Sequence, residues 1–588
     1  MNEPFTEFRI PRSTGTHADV LAAVGLADLL ASLPGTGIVR LVGGQADFTI
    51  CPAAPISTAD LNHIPQVPGY PFLKANDRVK VPSGIREFVD YGAEKAKAVR
   101  MRQLPKPRRG GGRTAVDPET QQLMQQEQLR DDWRLLQVLN TLQGDETANR
   151  IHEAIVKRDP TQFRQEISAA MTALSQGVRS QLDWKVTTVQ IFTPIAAKGY
   201  SRLKPDSTDR NDKTKEQWAD AFVEWLKYRG YFRVACPFFQ GQRAEHVRLL
   251  VPIPQDISVQ AVGSVTRELR KGGIFGGAPK IDSLAVLRLA QLLIRHSEEY
   301  HDPQAEVFLG LSLRGKVPSA VVSGVMVTHY QSLGSAKSVS SMSVLALPGW
   351  FQIHERQDAD AWLAILDEHQ RAVRGLLDDR SDEIGLLVAY RRFLESRGEG
   401  AVWALLAFME QYGPFMLRAR EQRRKVRSFR TDLVGRILMG LNPELREVLL
   451  DRGFQAVATA VRRATVNAQA QKALGVPDHR DIRYDLLHEL RRKRSLPGVA
   501  PFVEAVSDFV SLYNAENARR REMRRLAPRN VTTEEFASFV QLVNEHGASL
   551  VGALLCAYGT CREPRDTEVL GLEGEETDEP AVAPEATA

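Results

Sequence analysis

The chain has 588 residues, 43% hydrophobic and 25% charged, an ordinary globular balance with room for roughly two to four domains. Its formal net charge of +5 is a modest basic excess that points weakly to nucleic acid or an anionic surface. No stretch reaches the ~18 apolar residues of a membrane span, residues 1–12 have no apolar h-region, and the four cysteines (Cys51, Cys236, Cys556, Cys561) are too few and too scattered for a disulfide framework, so a membrane protein and a stapled secreted scaffold are excluded and a reduced, cytoplasmic chain is expected.

Residues 1–104 read as a mixed unit. Val20, Leu21, Val24, Ala27 and Leu30 share a helical face, Thr16 and Asp19 suit the first turn, and Pro34-Gly35 stops it, which predicts a helix over 16–30. Residues 38–42 and 46–50 read as a hairpin joined at Gly43-Gly44. A proline-punctuated loop over 52–71 precedes a second helix over 83–101. The run 105–113, PKPRRGGGR, opens a linker or exposed loop taken to residue 130, because three successive glycines sit poorly in a helix.

Residues 131–377 change texture. Segments 184–192, 246–253, 307–313, 320–328 and 339–347 are β-branched and partly alternating, hence strands. Helices are predicted between them over 216–228 and 281–295, giving an α+β region on one mixed sheet. From Asp378 the strand pattern stops. Phe502, Val506, Phe509, Val510 and Tyr513 repeat at three and four, as do Ile482, Leu486 and Leu490, and Thr532 with Glu535 forms a capping box before Phe536 and Phe539. Residues 378–562 therefore read as a helical bundle, and the acidic stretch 563–588, rich in Pro, Ala and Glu, as disordered. The expected fold class is α+β: a mixed α/β N-terminal region followed by an all-α C-terminal bundle.

Three arginine clusters carry the strongest chemical signal. Residues 417–430 include Arg418, Arg420, Arg423, Arg424, Lys425, Arg427 and Arg430 against Glu421 alone. Read as one helix, they set Arg423, Arg427 and Arg430 on one face and Arg420, Arg424 and Arg427 on another. Like charges at that spacing repel by a few tenths of a kcal/mol per pair, a cost that a polyanion removes. Arg491, Arg492, Lys493 and Arg494 form the second cluster; Arg519, Arg520, Arg521, Arg524 and Arg525 form the third. A single such cluster is most simply a solvated helix face. Three in one bundle, mostly arginine, favour phosphate.

The turn 272–277, GGIFGG, between Lys271 and Lys280, is either a surface hairpin or a loop whose backbone N–H groups approach phosphate; it fits neither the Walker nor the Rossmann pattern. Trp225, Tyr228, Tyr231 and Phe232 interleave with Lys227, Arg229 and Arg233, and Phe429 sits among the first cluster; these are core aromatics or stacking platforms. His296 and His301 flank Glu298 and Glu299 without a metal-motif spacing, and the pair His152-Glu153 reads as surface. No nucleophile, kinase or helicase motif occurs, so neither catalysis nor a cofactor is expected.

The opening THADVLAAVGLADLL with GTGIVRLVGG, and the stretches DIRYDLLHELRRK and FVSLYNAENARRR near the C-terminus, resemble segments of the large subunit of type I CRISPR surveillance (Cascade) complexes. The resemblance implies a non-catalytic subunit that binds guide RNA and target DNA, recognises the motif flanking the target, contacts the other Cascade subunits and helps recruit the CRISPR helicase-nuclease, with sequence reading delegated to base pairing. Its bundle would line an opened DNA strand. The nucleic-acid-binding candidates are Lys271, Lys280, Arg420, Arg423, Arg424, Arg427, Arg491, Arg492, Lys493, Arg520, Arg521 and Arg524, with the glycine turn as the candidate motif reader. The rival readings are a structural subunit whose arginines dock on acidic protein surfaces, and a nucleic-acid-processing enzyme without a recognisable motif.

Overall fold

The computed structural model describes residues 4–103, 127–192 (apart from 185 and 187), 220–240, 246–300 and 310–565 (apart from 334, 335, 477, 478 and 526). The glycine-rich run 105–113, His301 and the acidic stretch from 566 onward lie outside the described residues.

Strand β1 (Phe8–Pro11) leads into α1 (His17–Ala31), followed by the hairpin β2 (Val39–Gly43) and β3 (Asp47–Pro52). The Thr16 hydroxyl caps α1 by accepting the Ala18 N–H at 3.2 Å, as expected from sequence. A one-turn helix α2 (Thr58–Leu61) interrupts the proline-rich loop. The parallel pair β4 (Phe72–Lys74) and β5 (Phe88–Asp90) then precedes α3 (Tyr91–Gln103). The predicted helix over 83–101 is corrected: residues 88–90 pair with β4, and helix begins only at Tyr91. Helices α4 (Trp133–Thr141), α5 (Asp145–Val156), α6 (Pro160–Ser175) and α7 (Ala221–Val234) follow.

Next come β6 (Cys236–Gln240), β7 (His246–Pro254), β8 (Asp256–Ser258), α8 (Val259–Lys271), α9 (Ala278–Arg295), β9 (Val322–Leu333) and β10 (Ala336–Ala346). The single mixed sheet expected here is replaced by two four-stranded antiparallel sheets, in the orders β1-β3-β2-β8 and β10-β9-β7-β6. Because β8 pairs with β2, setting Arg40 opposite Ser258, residues far apart in the chain complete the first sheet. Two predicted strands fail among the described residues, in 184–192 and in 310–313. Among the described residues of 184–192, Trp184, Val186, Val189, Ile191 and Phe192 are buried without a ladder. The Ile191 carbonyl accepts from His17 Nε2 at 2.6 Å and from the Tyr330 hydroxyl at 3.2 Å, so side chains take the place of a ladder partner.

The C-terminal region is helical: α10 (Arg356–Gly375), α11 (Ser381–Glu395), α12 (Gly398–Glu421), α13 (Thr431–Leu441), α14 (Leu445–Leu450), α15 (Arg452–Ala464), α16 (Val466–Ala473), α17 (Leu486–Arg494), α18 (Ala500–Glu522), α19 (Thr533–His546) and α20 (Ala548–Tyr558). The fold is thus α+β, sheets in the N-terminal half and helices in the C-terminal half. Phe502, Val506, Phe509, Val510 and Tyr513 of α18 are buried as the periodicity requires, and Thr532 and Glu535 close the capping box of α19. One continuous apolar core runs from Phe8 to Cys561. Among the described residues, no helix is long and apolar enough to cross a membrane.

At the centre of the N-terminal half, α1 crosses α7. Every residue of α1 except Asp28 and Ala31 is buried, so it is enclosed on all sides rather than along one stripe. Glycines make the crossing possible. A Cβ at Gly25 would lie 1.8 Å from the Leu226 carbonyl oxygen, and one at Gly230 would lie 2.0 Å from that of Leu21. Each helix thus puts a glycine where the other's backbone needs room. Gly230→Ala should destabilise the protein by about 3 kcal/mol or more, because backbone rather than a yielding side chain must move. Gly385→Ala, on an exposed helical site with nothing near its Cβ, should be neutral or stabilising by up to about 1 kcal/mol. Urea-unfolding midpoints of the two variants check the contrast.

Candidate nucleic-acid interface

The three arginine clusters lie at helix C-termini rather than along helix faces. Helix α12 ends at Glu421, and residues 423–430 leave it as a turn and an extended segment. The expectation of one helix over 417–430, with its shared faces, is corrected accordingly. The second cluster is the last turn of α17, and the third spans the last turn of α18 (Arg519, Arg520, Arg521) and the turn beyond it (Arg524, Arg525). Cations there complement the helix dipole, each by roughly 0.3–1 kcal/mol, which accounts for basic residues at these ends without any ligand.

Two of the three ends close in the same way. Arg423 and Arg524 take left-handed backbone, with φ of 58° and 54°. Behind the first, Arg424 N–H bonds to the Ala419 carbonyl at 3.0 Å; behind the second, Arg525 N–H bonds to that of Arg520 at 2.9 Å. This closure normally selects glycine, since a Cβ is disfavoured there by roughly 1–2 kcal/mol. The dipole does not require arginine at that position.

The segment 479–485 lies against both of these ends. Tyr484 donates its hydroxyl to Glu421 at 2.5 Å, and Arg480 pairs with Glu516 of α18 at 3.0 Å. Hydrogen bonds from Tyr484, Lys472 and Gln469 hold the Glu421 carboxyl down to about 2. The second cluster packs on Glu410, about three turns earlier along α12, and its Arg491 shares a groove with Arg418 and Tyr484.

Individual arginines divide by what they touch. Arg424 is turned inward, donating to both carboxylate oxygens of fully buried Glu383 at 2.7 Å. Burial pushes the Glu383 carboxyl up, but the bonds from Arg424 and from the Leu377 N–H bring it below its usual value. Arg420 donates to the Val426 carbonyl at 2.7 Å, and burial lowers its guanidinium. Arg494 holds Glu410 at 2.5 Å. Arg423, Arg427, Arg491, Arg492, Arg521 and Arg524 are exposed, while Lys493 and Arg520 are half-buried. Arg521 also bonds the Pro528 carbonyl at 3.2 Å and Asn530 at 3.1 Å.

The glycine turn folds back on the protein. Lys280 donates to the Leu376 carbonyl at 2.6 Å and to that of Arg374 at 3.2 Å, closing the end of α10. The Gly277 N–H bonds to Asp378. Lys271 stays exposed, paired with Asp131 at 2.9 Å.

Trp225, Tyr228 and Tyr231 are fully buried, and Phe429 nearly so; all four are core. Phe232 stacks on Tyr70 at 5.5 Å, and with Arg233, Arg267 and Arg270 it lines a groove of about 1010 Å³. His152, expected at the surface, is buried between the rings of Tyr70 and Phe72, and burial lowers it to about 4. Sequence reading also missed Arg371, Arg562 and Arg565, which join Arg420 and Arg427 around a cavity. Each is ordinary in its own segment, and only long-range folding assembles them. No family model matches the chain, and no curated protein matches it.

Arg424→Ala should cost roughly 3 kcal/mol, because it strands the buried Glu383 carboxylate. Arg423→Ala should leave stability within about 0.5 kcal/mol. Thermal unfolding of the two neighbours separates the structural arginine from the exposed one.

Proposed function

We propose that this chain is a non-catalytic nucleic-acid-binding subunit, and that it serves as the large subunit of a guide-RNA surveillance complex of the Cascade type, recognising the target-flanking motif and stabilising opened strands. The reading rests chiefly on the two left-handed helix closures occupied by Arg423 and Arg524. Gln143 closes α4 with the same left-handed backbone, so what sets Arg423 and Arg524 apart is the exposed guanidinium that each carries within an arginine cluster. Exposed Arg427, Arg491, Arg492 and Arg521 add phosphate-binding capacity. Arg420, Arg424 and Lys280, committed to internal partners, act in this reading as supports for the exposed set. The resemblance of the N-terminal and C-terminal segments supplies the Cascade assignment, with guide RNA, target DNA, the other subunits and the helicase-nuclease as partners.

The double variant Arg423→Gly and Arg524→Gly should separate function from stability. Relief of left-handed strain should raise stability by up to about 1 kcal/mol, offset in part by the freedom glycine adds to the unfolded chain. Nucleic-acid affinity should fall, and the slope of log K against log salt should flatten by roughly one unit for each phosphate no longer engaged. Replacing Arg491, Arg492 and Lys493 together should flatten it further. An unchanged slope in both variants, measured by fluorescence anisotropy across a salt series, would favour docking on an acidic protein surface instead.

A further inference from the structure

Where α10, the last turn of α12, the segment 427–430 and the segment 562–565 meet, a half-enclosed cavity of about 240 Å³ opens. Its described wall carries six guanidiniums, Arg371, Arg420, Arg427, Arg430, Arg562 and Arg565, against two carboxylates, Asp367 and Glu368. Backbone bonds lock the arrangement. The Thr431 N–H donates to the Arg562 carbonyl at 2.9 Å, and the Arg562 N–H donates to that of Phe429 at 2.8 Å. This stitch sets Arg430 directly opposite Arg562. Asp432 bonds Arg430 at 2.7 and 3.1 Å, and Asp367 pairs with Arg371.

Glu368, half-buried, is one of the two carboxylates on the wall. Glu368 accepts the Arg430 N–H at 3.0 and 3.1 Å, at the start of α13. Burial nonetheless pushes its carboxyl up to about 7, against the pull of Arg562 and Arg430. Among the described residues of the wall, guanidiniums outnumber carboxylates six to two. The Ser428 side chain on the wall adds a hydroxyl.

We propose that this cavity binds a compact phosphate anion, either free inorganic phosphate or a terminal phosphomonoester. Planar guanidiniums converging from four segments can present paired N–H donors to a tetrahedral oxyanion, and partial enclosure strengthens each bond. The volume, several times the ~30 Å³ share of one liquid water, admits a phosphate group with part of its hydration. The site needs no long nucleic acid and would stand if the bundle bound none.

The test is calorimetric titration and thermal unfolding of the full chain with inorganic phosphate, repeated for Arg371→Ala with Arg427→Ala, and for Glu368→Gln. Millimolar phosphate should raise the melting temperature. The paired arginine variant should weaken phosphate roughly tenfold, and Glu368→Gln, which removes a wall carboxylate, should tighten it. These opposite directions distinguish a binding effect from general damage, and melting curves without phosphate confirm that each variant folds. Competition by a 5′-phosphorylated oligonucleotide, with none from its 5′-hydroxyl counterpart, identifies a terminal phosphate as the source; competition by neither identifies free phosphate. The absence of any phosphate-induced shift, or a shift that all these variants leave unchanged, overturns the site.

Discussion

Asp282 has no exposed surface, yet it lies between two guanidiniums: Arg248 of β7 donates to it at 2.9 and 2.7 Å, and Arg391 of α11 at 2.8 Å. One carboxylate on α9 therefore ties the second sheet to α11 of the C-terminal region. Burial raises the Asp282 carboxyl, and the two arginines work against that rise. Removing Asp282 would leave the Arg248 guanidinium buried without a carboxylate, and removing Arg248 would leave buried Asp282 to Arg391 alone, so the group forms as a unit. Sheets and bundle are consequently not independent bodies on a string. They share a charge cluster as well as a continuous apolar core, and the interface surfaces are positioned from both sides of it.

Close approach governs the N-terminal half as well. Gly25 and Gly230 let α1 and α7 touch backbone to backbone, and Asp28 meets Arg229 at 2.7 Å beside the crossing. Around this pair the first sheet closes only when β8 arrives, long after β2 and β3 in the chain. Local signals announced α1 and its hairpin because Thr16, Pro34-Gly35 and Gly43-Gly44 act on their own neighbours. They could not announce β8, whose three residues are a strand only because β2 has an open edge. Nor could they show that Ile191 would give its carbonyl to side chains of α1 and β9. His152 was misplaced for a related reason: its polarity says surface, while the rings of Tyr70 and Phe72 that enclose it lie about eighty residues earlier.

The arginine clusters show a different limit. Periodicity set the first of them on helix faces, whereas all three lie at helix ends. A run of arginines after an apolar helix satisfies both patterns, and only the acids available in space decide between them. Glu383 draws Arg424 inward, Glu410 draws Arg494, and the Val426 carbonyl draws Arg420. Without the positions of those acceptors, seven basic residues over 417–430 are indistinguishable from one another.

Once the acceptors are placed, the cluster separates into residues that hold the bundle and residues that face solvent, and the division follows chain direction. Before the left-handed turn, Arg420 reaches across it to the Val426 carbonyl. At the turn, Arg423 points outward because the backbone has reversed. Beyond it, the chain runs beside residues 562–565 and brings Arg430 and Arg562 together at the cavity. A single helix termination thereby produces an exposed cation, a buried ion pair and one wall of an anion-sized cavity within ten residues of sequence. The cost of left-handed backbone at an arginine is small beside what the termination arranges, since a continued helix would carry Arg427 and Arg430 away from Arg562 and leave Glu383 without its partner.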